Sequence, residues 1–116
     1  NERMKNMKVL LFRGGKAGAV WKLPGKFPEP ELEDLMGGAV AHVRISERLM
    51  LVTLADAEEL QRPIDYAIHR MGRNLEPIAG DAAVIHVERT TGRIRDITPE
   101  DVERAKEIIL LTEVEK

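Results

Sequence analysis

The sequence predicts an α+β domain built on a mainly antiparallel sheet of hairpins, with helices packed on one face. Three observations carry this expectation. Apolar runs of strand length recur through the chain, each bounded by glycine, proline or a polar break. Consecutive runs are separated by breaks short enough for hairpins. Two stretches, 30–36 and 98–109, combine a helical apolar period with recognisable end signals. The predicted order is strand, strand, helix, strand, strand, helical pieces, strand, strand, helix, which gathers helices on an antiparallel sheet rather than interleaving them with parallel strands.

The clearest strand pair spans 39–54. Ala39, Ala41, Val43 and Ile45 alternate with Val40, His42 and Arg44, as a half-buried strand requires. After Ser46-Glu47-Arg48, the run Leu49-Met50-Leu51-Val52-Thr53-Leu54 is apolar on both faces except at Thr53, which places it centrally in a sheet. Ahead of it, residues 7–13 form a first strand and 19–23 return antiparallel across the turn Gly14-Gly15-Lys16-Ala17-Gly18. Pro24-Gly25 stops that strand, since proline cannot donate to a ladder. Pro30 opens a short helix with Glu31, Glu33 and Asp34 near its positive end, Leu32, Leu35 and Met36 on one face, and Gly37 as the left-handed cap.

Residues 55–71 hold an apolar helical period interrupted by Arg62-Pro63, so two short helical pieces are expected, the second starting near Pro63, followed by a loop over 72–77. Residues 82–87 are a buried strand and 94–97 a short edge strand. Thr98-Pro99-Glu100-Asp101 is the strongest local signal, an N-cap with proline at the first helical position. The helix continues through Val102, Ala105, Ile108 and Ile109.

At 116 residues, with 43% apolar and 33% charged side chains, the chain forms one domain, expected over 7–112, with 1–6 read as a leader or tag remnant and 113–116 as a frayed tail. The 18 basic and 20 acidic residues are scattered, so no general basic field exists to attract nucleic acid. With no cysteine there is neither a disulfide framework nor a thiolate metal site, and no run is long and apolar enough to cross a membrane. The expected location is the cytoplasm.

Catalytic patterns are weak. The loop from Gly14 to Gly18 lacks the hydroxyl residue after Lys16 and the following helix that a phosphate loop needs, so it reads as a hairpin turn. The only serine, Ser46, lies in a predicted turn. His42, His69 and His86 have no close metal-ligand spacing, although His42 and His86 would meet if their strands were neighbours. Met7, Met36, Met50 and Met71 read as core filling. No cofactor or metal site is indicated. Two groups remain as ligand-binding candidates: Arg13 with Trp21 on the first hairpin, and Asp65, Tyr66, His69, Arg70 and Arg73, which place the only tyrosine, a histidine and two arginines in an interrupted segment suited to a phosphate or carboxylate.

The ordered series Met7-Lys8-Val9-Leu10-Leu11, Leu32-Glu33-Asp34-Leu35-Met36-Gly37-Gly38, Leu51-Val52, Pro63-Ile64-Asp65-Tyr66-Ala67, Ile78-Ala79-Gly80-Asp81-Ala82 and Ile97-Thr98-Pro99-Glu100-Asp101 resembles the domain of unknown function 3846 family of phages, plasmids and their bacterial hosts. The resemblance runs from Met7 to about Ile109. Asp65 stands where members commonly carry Asn. The resemblance supplies no catalytic residues; it implies a small protein of a mobile element that binds a host component or sequesters a signalling molecule. The expected function is therefore non-catalytic: sequestering a small anionic, nucleotide-like ligand or inhibiting a host protein. The alternative is a small enzyme for a phosphorylated or nucleotide substrate, with Asp65 and His69 as acid–base groups beside an arginine. The edges at 94–97 and in the first hairpin suggest a homodimer.

Overall fold

The computed structural model describes residues 6–24 and 28–112. The chain runs β1 (Asn6–Phe12), β2 (Ala19–Pro24), α1 (Pro28–Met36), β3 (Val40–Arg44), β4 (Leu49–Leu54), β5 (Ile64–Ile68), β6 (Glu76–Ala79), β7 (Ala82–Val87), β8 (Ile94–Arg95), α2 (Pro99–Ile108) and β9 (Ile109–Leu111). The main sheet has the order β2-β1-β7-β4-β3, with β8 beside the far end of β7, and a second sheet has the order β6-β5-β9. All pairings are antiparallel, so the α+β class with antiparallel sheets is the observed one.

Strand alternation assigns the two faces of the main sheet. Met7, Val9 and Leu11 of β1, Val52 of β4, and Ala83 and Ile85 of β7 meet Leu32 and Met36 of α1. Their neighbours Leu10, Phe12, Leu49, Leu51, Ala82 and Val84 point the other way, onto Tyr66, Ile68 and Ile78 of the second sheet and Ala105 and Ile108 of α2. The helices thus take opposite faces rather than the single face the sequence suggests. On the α2 side a second sheet shares the cover with the helix. Leu32 is fully buried, and burying such a side chain contributes roughly 1.5–3 kcal/mol.

The expected hairpins β1–β2 and β3–β4 form in register, Val9 facing Trp21 and His42 facing Val52. Lys16 N–H closes the first turn on Arg13 O at 3.1 Å, with Gly14 and Gly15 at φ of 64° and 74°, a region that suits glycine. At the end of α1, Gly37 (φ 92°) and Gly38 both donate to Glu33 O, as a left-handed cap does. Thr98 caps α2 as expected: its hydroxyl accepts from Asp101 N–H while the Asp101 carboxylate accepts from Thr98 N–H.

Residues 55–71 differ from expectation. The first piece is reduced to a turn over 55–61, closed by Leu60 N–H on Asp56 O and by Gln61 at φ 56°. The second is a strand: Tyr66 and Ile68 of β5 enter the core with Ala67 beside them, between β6 and β9, with an irregularity in register between Ile64 and Tyr66. The short run fits both periods, and pairing on two sides decides for strand. The predicted loop over 72–77 is shorter than expected, because β6 begins at Glu76. α2 ends one residue early, with Ile109 extended (φ −100°, ψ 112°) as the start of β9 opposite Ile68. Met71, expected in the core, is 96% exposed. Asn6, assigned to the leader, is already part of β1; the remaining leader residues, the connection at 25–27 and the tail at 113–116 lie outside the described residues.

Candidate functional site

The sequence candidates separate into three places. At the first, the β1–β2 turn is tied to the second sheet. Arg13 Nε donates to Asp81 Oδ2 at 2.8 Å and its Nη2 to Leu35 O, while Gly14 N–H donates to Asp81 Oδ1 at 3.1 Å. Tyr66 is fully buried, and its hydroxyl donates to Lys16 O at 2.7 Å. Burial, then the charge of Asp81, pushes the Tyr66 phenol above its ordinary range. Asp65 lies against Gly15 and lines a hollow of about 180 Å³ with Arg62 and Asp81. Arg13 and Tyr66 therefore work as a clasp between layers: the Tyr66 hydroxyl is spent on the fold, and Arg13 commits its Nε and one Nη2 donor to it.

Trp21 forms the second place. It sits on β2, one of the two outer strands of the main sheet, 46% exposed beside Val20. It is neither core filling nor part of the hollows around Arg70 and Asp65; it pairs with Val9 across the hairpin, and Arg13 is turned to Asp81. Of the two edges considered for pairing, the β2 edge is outermost, whereas the 94–97 edge is engaged: Ile97 N–H donates to Lys8 O and Lys8 N–H to Asp96 Oδ1.

The third place gathers the basic candidates. Where β5 ends, His69 N–H donates to Ile108 O at 2.7 Å, which holds the segment after β5 against the last turn of α2. His69 and Arg70 then line a hollow of about 420 Å³ with Ile45, Met71, Arg104, Glu107 and Ile108, a volume within the ~300–1,000 Å³ of small-molecule sites. Arg70 reaches across to β3, donating from Nη2 to Arg44 O at 3.2 Å, while its Nε is buried with no hydrogen-bond partner. A guanidinium N–H without a partner is costly, and a carboxylate or phosphate oxygen is the group that relieves it. Arg104 comes from α2 and holds Glu107 at 3.1 Å across an exposed face. Arg73 follows in the turn after β5, its N–H on Arg70 O. Arg104 was not among the sequence candidates; Arg104 and Ile108 share a helix face four residues apart, but nothing local says that this face meets the end of β5.

Asp65 and His69 occupy separate hollows at opposite ends of β5, so the acid–base pair expected of the enzyme reading is not assembled. His42 and His86 do not meet either. β4 lies between their strands, His42 faces Glu29 of α1 at 3.4 Å, and His86 faces Asp101 of α2. Among the described residues no group of three or more His, Asp and Glu is placed to hold a metal ion, and no helix is long and apolar enough to cross a membrane.

Comparison with known proteins gives no match: neither a family model, nor a curated relative, nor a solved structure is similar to the chain.

Proposed function

We propose that this chain is a non-catalytic binding protein of a phage or other mobile element, acting in the cytoplasm and sequestering a small anionic, nucleotide-like ligand in the hollow between β5 and α2. The buried, unpartnered Nε of Arg70 is the observation that carries this reading. Arg70 supplies a directed donor, Arg104 a second guanidinium, His69 a ring at the wall, and Ile45 and Ile108 an apolar floor. The mobile-element context is what the resemblance to the domain of unknown function 3846 family implies.

The test is a thermal-shift series with inorganic phosphate, pyrophosphate and a panel of mono- and dinucleotides. A ligand present at one hundred times its Kd adds about 2.7 kcal/mol, a rise of several degrees in Tm for a domain of this size. Arg70→Ala and Arg104→Ala remove the response, whereas Trp21→Phe leaves it unchanged. A panel that moves nothing, or a response that survives Arg70→Ala, rejects this site.

A further inference from the structure

The outer edge of β3 offers a second kind of recognition. Ala55 N–H donates to Ala39 O and Ile45 N–H to Leu49 O, so the odd-numbered residues of this segment turn their backbone groups inward to β4. Val40, His42 and Arg44 turn theirs outward. No strand lies beyond β3 in its sheet among the described residues. Among the described residues, Arg44 O is the outward group with a partner, and that partner is Arg70.

The inner face of the same strand carries a groove. Ala41 and Val43 border a hollow of about 330 Å³ whose far wall includes Pro77 and Ile78 of β6 and whose lining includes Glu58, Glu59 and Glu76. The next residue on that face, Ile45, belongs to the basic hollow of Arg70 and Arg104. Ala41, Val43 and Ile45 stand at i, i+2 and i+4, so the two hollows lie end to end over roughly 13 Å of strand. One end carries Glu58, Glu59 and Glu76, and the other Arg70 and Arg104 beside the single carboxylate of Glu107. Val43, between them, is 37% exposed.

We propose that this edge docks an extended peptide segment, which adds to β3 as a further strand of the main sheet. The segment carries a basic side chain toward Glu58, Glu59 and Glu76 and a carboxylate toward Arg70 and Arg104. Outward N–H and C=O groups supply affinity, alternate side chains enter the groove, and the opposite charges at its ends set the register. β6 is the poorer template, because Pro77 removes a donor. A second copy fits less well. Antiparallel pairing of β3 with itself about His42 sets Val40 against Arg44 of the other copy and calls on Arg44 O, which Arg70 already occupies. A separate segment ending before Arg44 leaves that bond in place and brings its carboxylate to the hollow that Arg70 lines.

The carboxylate end rests on the anion-binding reading of the Arg70 hollow; the strand addition and the acidic end do not. The test is amide hydrogen exchange on the intact chain with two capped pentapeptides, Lys-Thr-Val-Thr-Glu and its reverse, whose end side chains share one face of an extended strand, since the strand direction is open, and with Gln-ended controls. The expected result is that the Val40 and His42 amides exchange rapidly in the free protein and are slowed by one bipolar peptide. The Gln-ended control binds at least tenfold more weakly, and N-methylation of alternate peptide amides abolishes the protection. Glu58→Lys with Glu59→Lys, on the acidic rim away from the edge, shifts preference to a peptide with Glu at both ends. Amides slowed in the free protein in proportion to its concentration, with a dimer mass, assign the edge to a second copy and overturn the proposal. So do amides that stay fast with every peptide. Pyrophosphate titration, followed at His69, separates the two claims: pyrophosphate binding without peptide protection leaves the anion site and removes the strand site. Protection by a peptide that is Lys-ended and Gln-ended, without pyrophosphate binding, retains the strand site and removes the anion site.

Discussion

Asp101 and Arg70 are both charged groups drawn into the molecule beside α2, and they differ in how their hydrogen bonds are met. The Asp101 carboxylate accepts from Thr98 N–H at 3.0 Å and lies 2.7 Å from His86 Nδ1, with both side chains nearly covered. An ionised carboxylate can only accept, so Nδ1 carries the proton. This network ties the start of α2 to the centre of the main sheet through β7 and has a partner for each group it buries. Arg70, at the other end of α2, has one bond to a carbonyl and a buried Nε without a partner. A satisfied buried charge is what a fold needs, whereas an unsatisfied one costs stability without structural return. The contrast separates an anchor from a site.

Removing the anchor has the largest expected effect. Asp101→Ala leaves the Thr98 N–H and the His86 ring without their acceptor and deletes half of the capping box, a loss of about 2–4 kcal/mol by analogy with broken buried pairs and lost caps. Urea unfolding measures it directly, and a loss below about 0.5 kcal/mol would show that the network is not an anchor. Acid should act at the same place. Burial alone would push the Asp101 carboxyl up, but the hydrogen bonds from His86 and Thr98 more than offset it and hold its pKa below the ordinary value. A depressed folded pKa means the contribution is present above the unfolded value of about 3.9 and is lost as pH falls through the folded value. Wild-type stability should therefore drop below about pH 4, with a shallower drop in Asp101→Ala over the same window.

The clasp at the β1–β2 turn gives an intermediate case. Tyr66→Phe keeps the ring that meets Phe12 edge-on at 5.5 Å and removes only the donor to Lys16 O. A loss of about 1 kcal/mol is expected, the net value of one such hydrogen bond, because Lys16 is exposed and its carbonyl can turn to water. Ligand responses at Arg70 should be unchanged. A Tyr66→Phe variant of normal stability that fails to bind would return Tyr66 to the site.

The sequence made the anchor legible and left the site half hidden, for a physical reason. Thr98, Pro99 and Asp101 act on one another within four residues, and such a cap is written locally. The β3–β4 hairpin is legible for the same reason, alternation joined across a short break. β5 and β9 are not. Pro63-Ile64-Asp65-Tyr66-Ala67-Ile68 satisfies a strand or a helix, and only pairing with β6 and with the distant residues 109–111 chooses between them. The sequence offers Asp65 and His69 together because they share one interrupted segment. On a strand they stand at opposite ends. His69 and Arg70 were recognised by residue type alone, while Arg104 and the acidic rim of Glu58, Glu59 and Glu76 depend on layers that no local pattern specifies.

The smallest expected effect sharpens the comparison most. If Arg70 were structural, removing it would cost what removing Asp101 costs. Arg70→Met keeps most of the aliphatic stem and deletes a guanidinium with one bond at 3.2 Å and one unpartnered N–H, so its loss and the relief of the orphan group nearly cancel. Stability should change by no more than about 0.5 kcal/mol in either direction, within the range of ordinary surface substitutions. Arg104→Ala should be as mild, because its pairing with Glu107 is exposed on both sides and such helix pairs contribute about 0.3–0.5 kcal/mol. Phosphate and nucleotide responses should nevertheless vanish in Arg70→Met. A variant of wild-type stability that no longer responds identifies Arg70 as a binding group, whereas a loss of about 2 kcal/mol or more would place it with Asp101 among the anchors.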